Sequence, residues 1–259
     1  MCEDLISRTK CFVFNGQRYR VFISHRRGIG GNLNPLYLLD ANSQFSVVTE
    51  RNNRKRDGDI LYIGIGYQDG VDILKARTRD YTVPSGEKEF AEGGGAAAFY
   101  QFIAACVKPW IEAHYPVNAD QQTLAGHSHG GHFVLYTLFN HPDAFQNYLA
   151  ASPSIWWGNG ALIPDGKLTI DEHVNQVTLM VGEYEEKLHP QSNETEKMQI
   201  LRMNATPKLR ARNLAEKLIG NEQRCSFVFC TGRRHPGVIK DYAQVANLIA
   251  GHCPQYDGL

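Results

Sequence analysis

The chain has 259 residues, 42% hydrophobic and 21% charged, the balance of a globular protein and not of a disordered one. Lysine plus arginine number 27 and aspartate plus glutamate 27, so the formal net charge is zero. That argues against a protein whose main task is gripping a nucleic-acid backbone. No apolar run approaches the roughly 18 residues needed to span a bilayer, so neither nucleic acid nor membrane is an expected partner.

Along the chain, strand-like runs alternate with helical patterns, the signature of an α/β protein with a mostly parallel sheet and helices on both faces. The length suits one domain over residues 1–259. Residues 11–24 read as one or two strands around the turn Asn15-Gly16, and 36–39 as a short strand ending at Asp40. Residues 60–65 read as a buried strand. Phe99, Phe102, Ile103, Cys106, Val107, Trp110 and Ile111 recur at helical spacing, with Pro109 placed to kink that helix. Residues 123–125 end a strand that enters a glycine-rich turn, and 132–138 continue as a helix. Strands are predicted at 148–151, 177–181 and 226–229, and helices at 209–219 and 238–249. Residues 186–207 are polar and weakly patterned, which fits either a lid or substrate loop or a short unrecognised helix.

Six cysteines (Cys2, Cys11, Cys106, Cys225, Cys230 and Cys253) are scattered, with no C-x-x-C pair and no Cys/His cluster at zinc spacing. Buried thiols are expected, and no metal site. Met1-Cys2-Glu3-Asp4 has neither the basic nor the apolar region of a secretory signal, so a cytoplasmic location is expected.

Gly126-His127-Ser128-His129-Gly130 matches G-x-S-x-G between a strand-like and a helix-like run, the context of a nucleophile elbow. Such a turn holds the serine in a strained backbone conformation and needs small neighbours at Gly126 and Gly130. Ser128 requires a base. The histidines after it are His129, His132, His141, His173, His189, His235 and His252. His235 alone follows the last strand on a loop, which makes it the expected base, and activity should then rise with pH through the imidazole range. An acid should follow the strand at 177–181, where Gly182-Glu183-Tyr184-Glu185-Glu186 stands. Glu185 is favoured, with Glu183 and Glu186 as alternates and a Ser–His dyad as a further option. The backbone N–H of His129 is one expected oxyanion donor. The other should come from Asp40-Ala41-Asn42, after the early strand.

Together these residues resemble the esterase family of the α/β-hydrolase superfamily, in its branch of siderophore esterases that open enterobactin- and salmochelin-type trilactones. The likeness runs from about residue 12 to about residue 245. It is carried by Leu39-Asp40-Ala41-Asn42, Gly64-Ile65-Gly66-Tyr67, Arg77-Thr78-Arg79-Asp80-Tyr81, Gly93-Gly94-Gly95-Ala96, the elbow, Ser152-Pro153-Ser154-Ile155-Trp156-Trp157 and Val181-Gly182-Glu183. The resemblance implies an α/β-hydrolase fold, Ser128 as nucleophile, His235 as base, and the Ala41 and His129 N–H groups as oxyanion donors. The family usually places an apolar residue where His129 stands and glycine where Ala41 stands. The implied partner is a small-molecule ester, a ferric siderophore included; the oligomeric state is not legible, and no cofactor is implied. Arg77, Arg79 and Arg234, with Trp156 and Trp157, are the expected contacts to an anionic, aromatic substrate. The run Arg51, Arg54, Lys55 and Arg56 reads as a solvated helix end. A general carboxylesterase, thioesterase or acyltransferase of this fold is the nearest alternative, and a non-catalytic binding scaffold a more distant one.

Overall fold

A computed structural model describes residues 5–28, 31–50, 59–166, 168–220 and 224–251. The chain opens with a hairpin of β1 (Leu5–Phe14) and β2 (Gln17–Arg26), antiparallel and in continuous register. Asn15 and Gly16 both have positive φ, 48° and 74°, as a two-residue hairpin turn that follows the strand twist requires. Then follow β3 (Asn34–Leu38), α1 (Ala41–Thr49), β4 (Ile60–Tyr67) and α2 (Ile73–Tyr81). A long helical stretch comprises α3 (Ala96–Phe102), a π turn over Ile103–Val107, and α4 (Lys108–His114). The π turn ends just before Pro109, whose missing N–H and bulky ring disturb the preceding carbonyls.

The second half runs β5 (Thr123–His127), α5 (His129–Asn140), β6 (Asn147–Ala151), β7 (Gln176–Gly182) and a single turn α6 (Glu183–Glu186). It continues with α7 (Glu194–Ala205), α8 (Ala211–Ile219), β8 (Cys225–Cys230) and α9 (Val238–Ala250). Among the described residues the eight strands form one sheet in the order β1-β2-β4-β3-β5-β6-β7-β8. β2 pairs antiparallel with β4, and every pair from β4 to β8 is parallel.

Side chains alternate along each strand, so the central strands feed two cores. Leu36 and Leu38 pack with Tyr62, Ala125, Leu149 and Met180 under α1 and α9. Tyr37 and Leu39 pack with Ile63, Leu124, Phe133 and Tyr148 under α2, α3, α5 and α8. Both faces are covered, which is why the central strands read as unbroken apolar runs. Asn247 of α9 fastens the first layer: its Nδ2 donates to the Val48 carbonyl, and its Oδ1 accepts from the Tyr62 hydroxyl at 2.5 Å.

Cys225 and Cys230 are buried and Cys106 half-buried, but Cys11 is exposed because β1 is an edge strand with one open face. No helix among the described residues is long and apolar enough to cross a bilayer. The basic run Arg51, Arg54, Lys55 and Arg56 lies outside the described residues, as do Cys2, Cys253 and His252.

Candidate active site

The parallel strands all end on one rim of the sheet, and the site is built there. β5 passes into α5 through Ser128 alone, which has φ 61° and ψ −121°. A non-glycine residue at positive φ is strained and persists only where its surroundings hold it. Three backbone bonds do so: Ser128 N–H donates to the Ala151 carbonyl at 2.9 Å, and the Ser128 carbonyl accepts from His132 N–H at 3.0 Å and Ser154 N–H at 3.1 Å. A Cβ on Gly126 would lie 2.5 Å from the Gly130 backbone, so no side chain fits there. The second demand for glycine falls on Gly131 and not on Gly130. A Cβ at Gly131 would stand 2.9 Å from the Ala151 carbonyl oxygen, whereas one at Gly130 would meet only Asp40 and Leu39 at 3.4 Å.

His235 sits on the turn between β8 and α9. Its Nδ1 lies 2.5 Å from Glu185 Oε2, and a carboxylate oxygen accepts, so Nδ1 carries a proton and Nε2 is the ring nitrogen not engaged by Glu185. The other oxygen of Glu185 accepts from Ser152 Oγ at 2.6 Å and from Gly182 N–H at 2.7 Å. Burial works to raise the Glu185 pKa, but the bonds from His235, Ser152 and Gly182 outweigh it and hold the carboxyl below its usual range. The neighbouring glutamates are committed elsewhere. Glu183 accepts from Gly232 N–H and Lys187, and Glu186 is gripped by Arg212. Ser128, Glu185 and His235 line one cavity of about 290 Å³.

Two side chains that the sequence did not single out support this arrangement. Ser152, itself at φ 44°, orients Glu185. His127 is buried, and its Nε2–H donates to the His235 carbonyl at 3.0 Å, tying the His235 loop to the strand that leads into Ser128. Burial, and then the neighbouring His235, push the His127 pKa down to about 3. A buried polar residue beside a G-x-S-x-G serine was the available signal for His127.

His129 and Ala41 are the first residues of α5 and α1. Their N–H groups belong to first turns, where no intrahelical acceptor exists and the helix favours negative charge. The loop before Ala41 is held firmly. Asp40 adopts φ 53°, its N–H donates to the Tyr81 hydroxyl, and Asn42 exchanges two hydrogen bonds with the Tyr67 backbone. Gly66 makes room for that Asn42 side chain, since a Cβ there would lie 2.3 Å from its Oδ1.

The "Putative esterase" family profile matches residues 17–222. The chain belongs to this esterase family. Ferri-bacillibactin esterase BesA of Bacillus subtilis is 36% identical over 241 residues, covering 84% of this chain and 78% of BesA. A siderophore enterobactin esterase of Emericella nidulans is 34% identical over 157 residues, covering 53% of this chain and 52% of that protein. The solved siderophore hydrolase EstA from Aspergillus nidulans superposes with a TM-score of 0.78 at 25% identity, covering 98% and 96% of the two chains. The fold is that of the α/β-hydrolases.

In this esterase the expected substrate contacts separate into two groups. Trp156 and Arg234 line the cavity. Arg77, Arg79 and Trp157 do not, and each of the three has partners within the fold. Arg77 lies on α2. Its guanidinium bonds both oxygens of Asp40 at 2.8 Å, and its remaining terminal nitrogen stands 3.3 Å from His129 Nδ1. Arg79 bonds both oxygens of Asp80, which also accepts from the Tyr19 hydroxyl. Trp157 is buried, donates through Nε1 to the Val83 carbonyl, and packs on Phe90. Burial, then Arg77, then His132 and His235 push the His129 pKa down to about 3, so its ring is neutral at physiological pH.

The stretch 186–207 is mostly helix. α7 roofs the cavity with Glu196, Gln199, Ile200 and Met203. Among the described residues no three or more histidine, cysteine, aspartate or glutamate side chains gather as a metal site.

Proposed function

We propose that this esterase hydrolyses the ester bonds of a siderophore, with a trilactone of the tricatechol type as the leading substrate, through a Ser128–His235–Glu185 triad. His235 Nε2 takes the Ser128 Oγ proton as that oxygen attacks the ester carbonyl carbon. The tetrahedral oxyanion rests on the Ala41 and His129 N–H groups. The intermediate collapses, the C–O bond to the alcohol breaks, and the imidazolium returns the proton to the departing oxygen. Water then attacks the acyl-enzyme with His235 again as base, releasing the acid and restoring Ser128. Glu185 keeps His235 in the Nδ1–H tautomer and offsets the imidazolium charge. We place the protein in the cytoplasm, the compartment that suits its unpaired Cys11, Cys106 and Cys230 thiols.

The observation that carries the mechanism is the 2.5 Å His235–Glu185 pair in the same cavity as a serine held at φ 61°. The siderophore assignment leans on BesA and on the fungal relatives, whose names state such substrates. The test is chromatography of a tricatechol trilactone, iron-free and ferric, after incubation with wild type and Ser128→Ala, with p-nitrophenyl butyrate alongside. Wild type should open the trilactone, and Ser128→Ala should lose about 10⁴-fold or more in kcat on both esters. Cleavage of the simple ester alone would move the substrate away from siderophores while keeping Ser128 in its role.

A further inference from the structure

The cavity's charges are few, and every one has a partner. Glu185 is spent on His235, Ser152 and Gly182. Arg234, one residue before the base, lies with its Nη2 2.5 Å from Glu196 Oε1 and 2.7 Å from Oε2. Arg233 turns away to both oxygens of Asp241. Just behind the cavity, Arg77 and Asp40 cancel each other, and His127 and His129 are neutral. Apart from His235, the ionised lining therefore sums to one negative charge: two carboxylates against one guanidinium. Arg234 is the sole arginine or lysine among the described residues that line this cavity. Its charge is already taken by a carboxylate from the roof helix.

Glu196 is well placed to stay there. It is the third residue of α7, and its Oε2 also accepts from Asn193 N–H while Asn193 Oδ1 accepts from Glu196 N–H, a reciprocal cap. The bonds from Arg234, and then from Asn193, hold its carboxyl below the usual range. The side chain thus serves the roof helix and the base's loop together.

We infer that Glu196 is a specificity-determining residue: by occupying Arg234 it makes the cavity select esters whose acyl part is uncharged over esters whose acyl part is anionic. An anionic group must displace the Glu196 carboxylate from Arg234 or sit against an uncompensated negative lining. An uncharged group faces neither cost. For a tricatechol trilactone this favours the iron-free molecule, whose catechols are protonated near neutral pH, over its anionic ferric complex. The inference rests on the proposed serine-esterase reading of the cavity.

The test compares 4-nitrophenyl butyrate with 4-nitrophenyl hemisuccinate, a neutral and an anionic acyl group on one leaving group. Equilibrium binding is measured in the Ser128→Ala background, and kcat/KM with the serine intact. Glutamine at position 196 keeps the helix cap while removing the charge. Glu196→Gln should shift the hemisuccinate-to-butyrate ratio at least fivefold toward the anion in both measurements, the scale of one unit charge about 4 Å away in water. Adding Arg234→Gln should return the ratio to the wild-type value. A ratio that moves less than twofold overturns the inference. So does an equal shift from Glu194→Gln, which removes a charge from the same helix that pairs with Lys197 and not with Arg234. Cleavage of both esters by Ser128→Ala is a separate result: it sinks the serine mechanism, while the binding ratio still decides the role of Glu196.

Discussion

Arg77 has two buried obligations, both oxygens of Asp40 and the ring of His129, and both partners adjoin an expected oxyanion donor. Truncating it strands the Asp40 carboxylate in a nearly closed site, a change that costs about 3–5 kcal/mol where no other cation can approach. Arg77→Ala should therefore lower kcat by tenfold or more on neutral p-nitrophenyl butyrate as well as on anionic esters. A rise in KM confined to the anionic ester would instead restore the surface-recognition role expected from sequence. Steady-state kinetics on the two esters separates the outcomes. At this scale the sequence was clear about groups whose chemistry depends on their own type and place, such as Ser128 and the only histidine on the final loop. It was silent on pairings across the chain. That Asp40 faces Arg77, 37 residues on, or that Glu196 faces Arg234, is a property of the fold and leaves no local trace.

α7 illustrates the limits of periodicity at the scale of an element. Its buried face is the single residue Ile200, while Met198 and Leu201 are exposed, so no apolar stripe marked it as a helix. Its start signal was local and readable: Asn193 followed three residues later by Glu196. α2 escaped notice for the same reason, being polar and capped by Asp72. α9, with eight buried residues, was legible almost to its ends, and the central strands were visible because both their faces are covered. A helix held on mainly by Arg234–Glu196, Arg202–Glu89 and Asn204 to the Glu186 carbonyl has little to lose on detaching. Its amides should accordingly exchange with deuterium at least tenfold faster than those of α9, and a fluorophosphonate on Ser128 should slow them. Equal protection of the two helices would mean that the roof is as firmly docked as the core.

For the whole molecule, three histidines held neutral contribute to the response to acid, among them His129, whose pKa is pushed down to about 3. His127 is held neutral by burial, then by His235, down to a pKa of about 3. His132 is held neutral by burial, down to about 4. The bonding of His132 agrees with that state: Nδ1–H donates to the Ser154 carbonyl, and Nε2 accepts from Val83 N–H, which a protonated ring could not do. All three folded pKa values lie below the unfolded value near 6.5, so the unfolded chain binds more protons in that interval and stability falls as pH falls. Between pH 7 and pH 5 each ring removes about 2 kcal/mol, and the three together lower Tm by about 15 °C for a chain of this size. Calorimetry across that window checks the expectation, and a flat Tm would contradict the neutral assignment.

The placement of the site along the chain has a further consequence. Ser128, Ser152, Glu185 and His235 come from the ends of β5, β6, β7 and β8, four adjacent strands added to the sheet in the order in which they are synthesised. The serine's strained backbone leans on the Ala151 carbonyl and the Ser154 N–H, so two of its three supports are missing until β6 has docked. The proposed base, His235, arrives only with the outermost strand. With His235 as the proposed base, no growing polypeptide shorter than 235 residues can cleave an ester by this route.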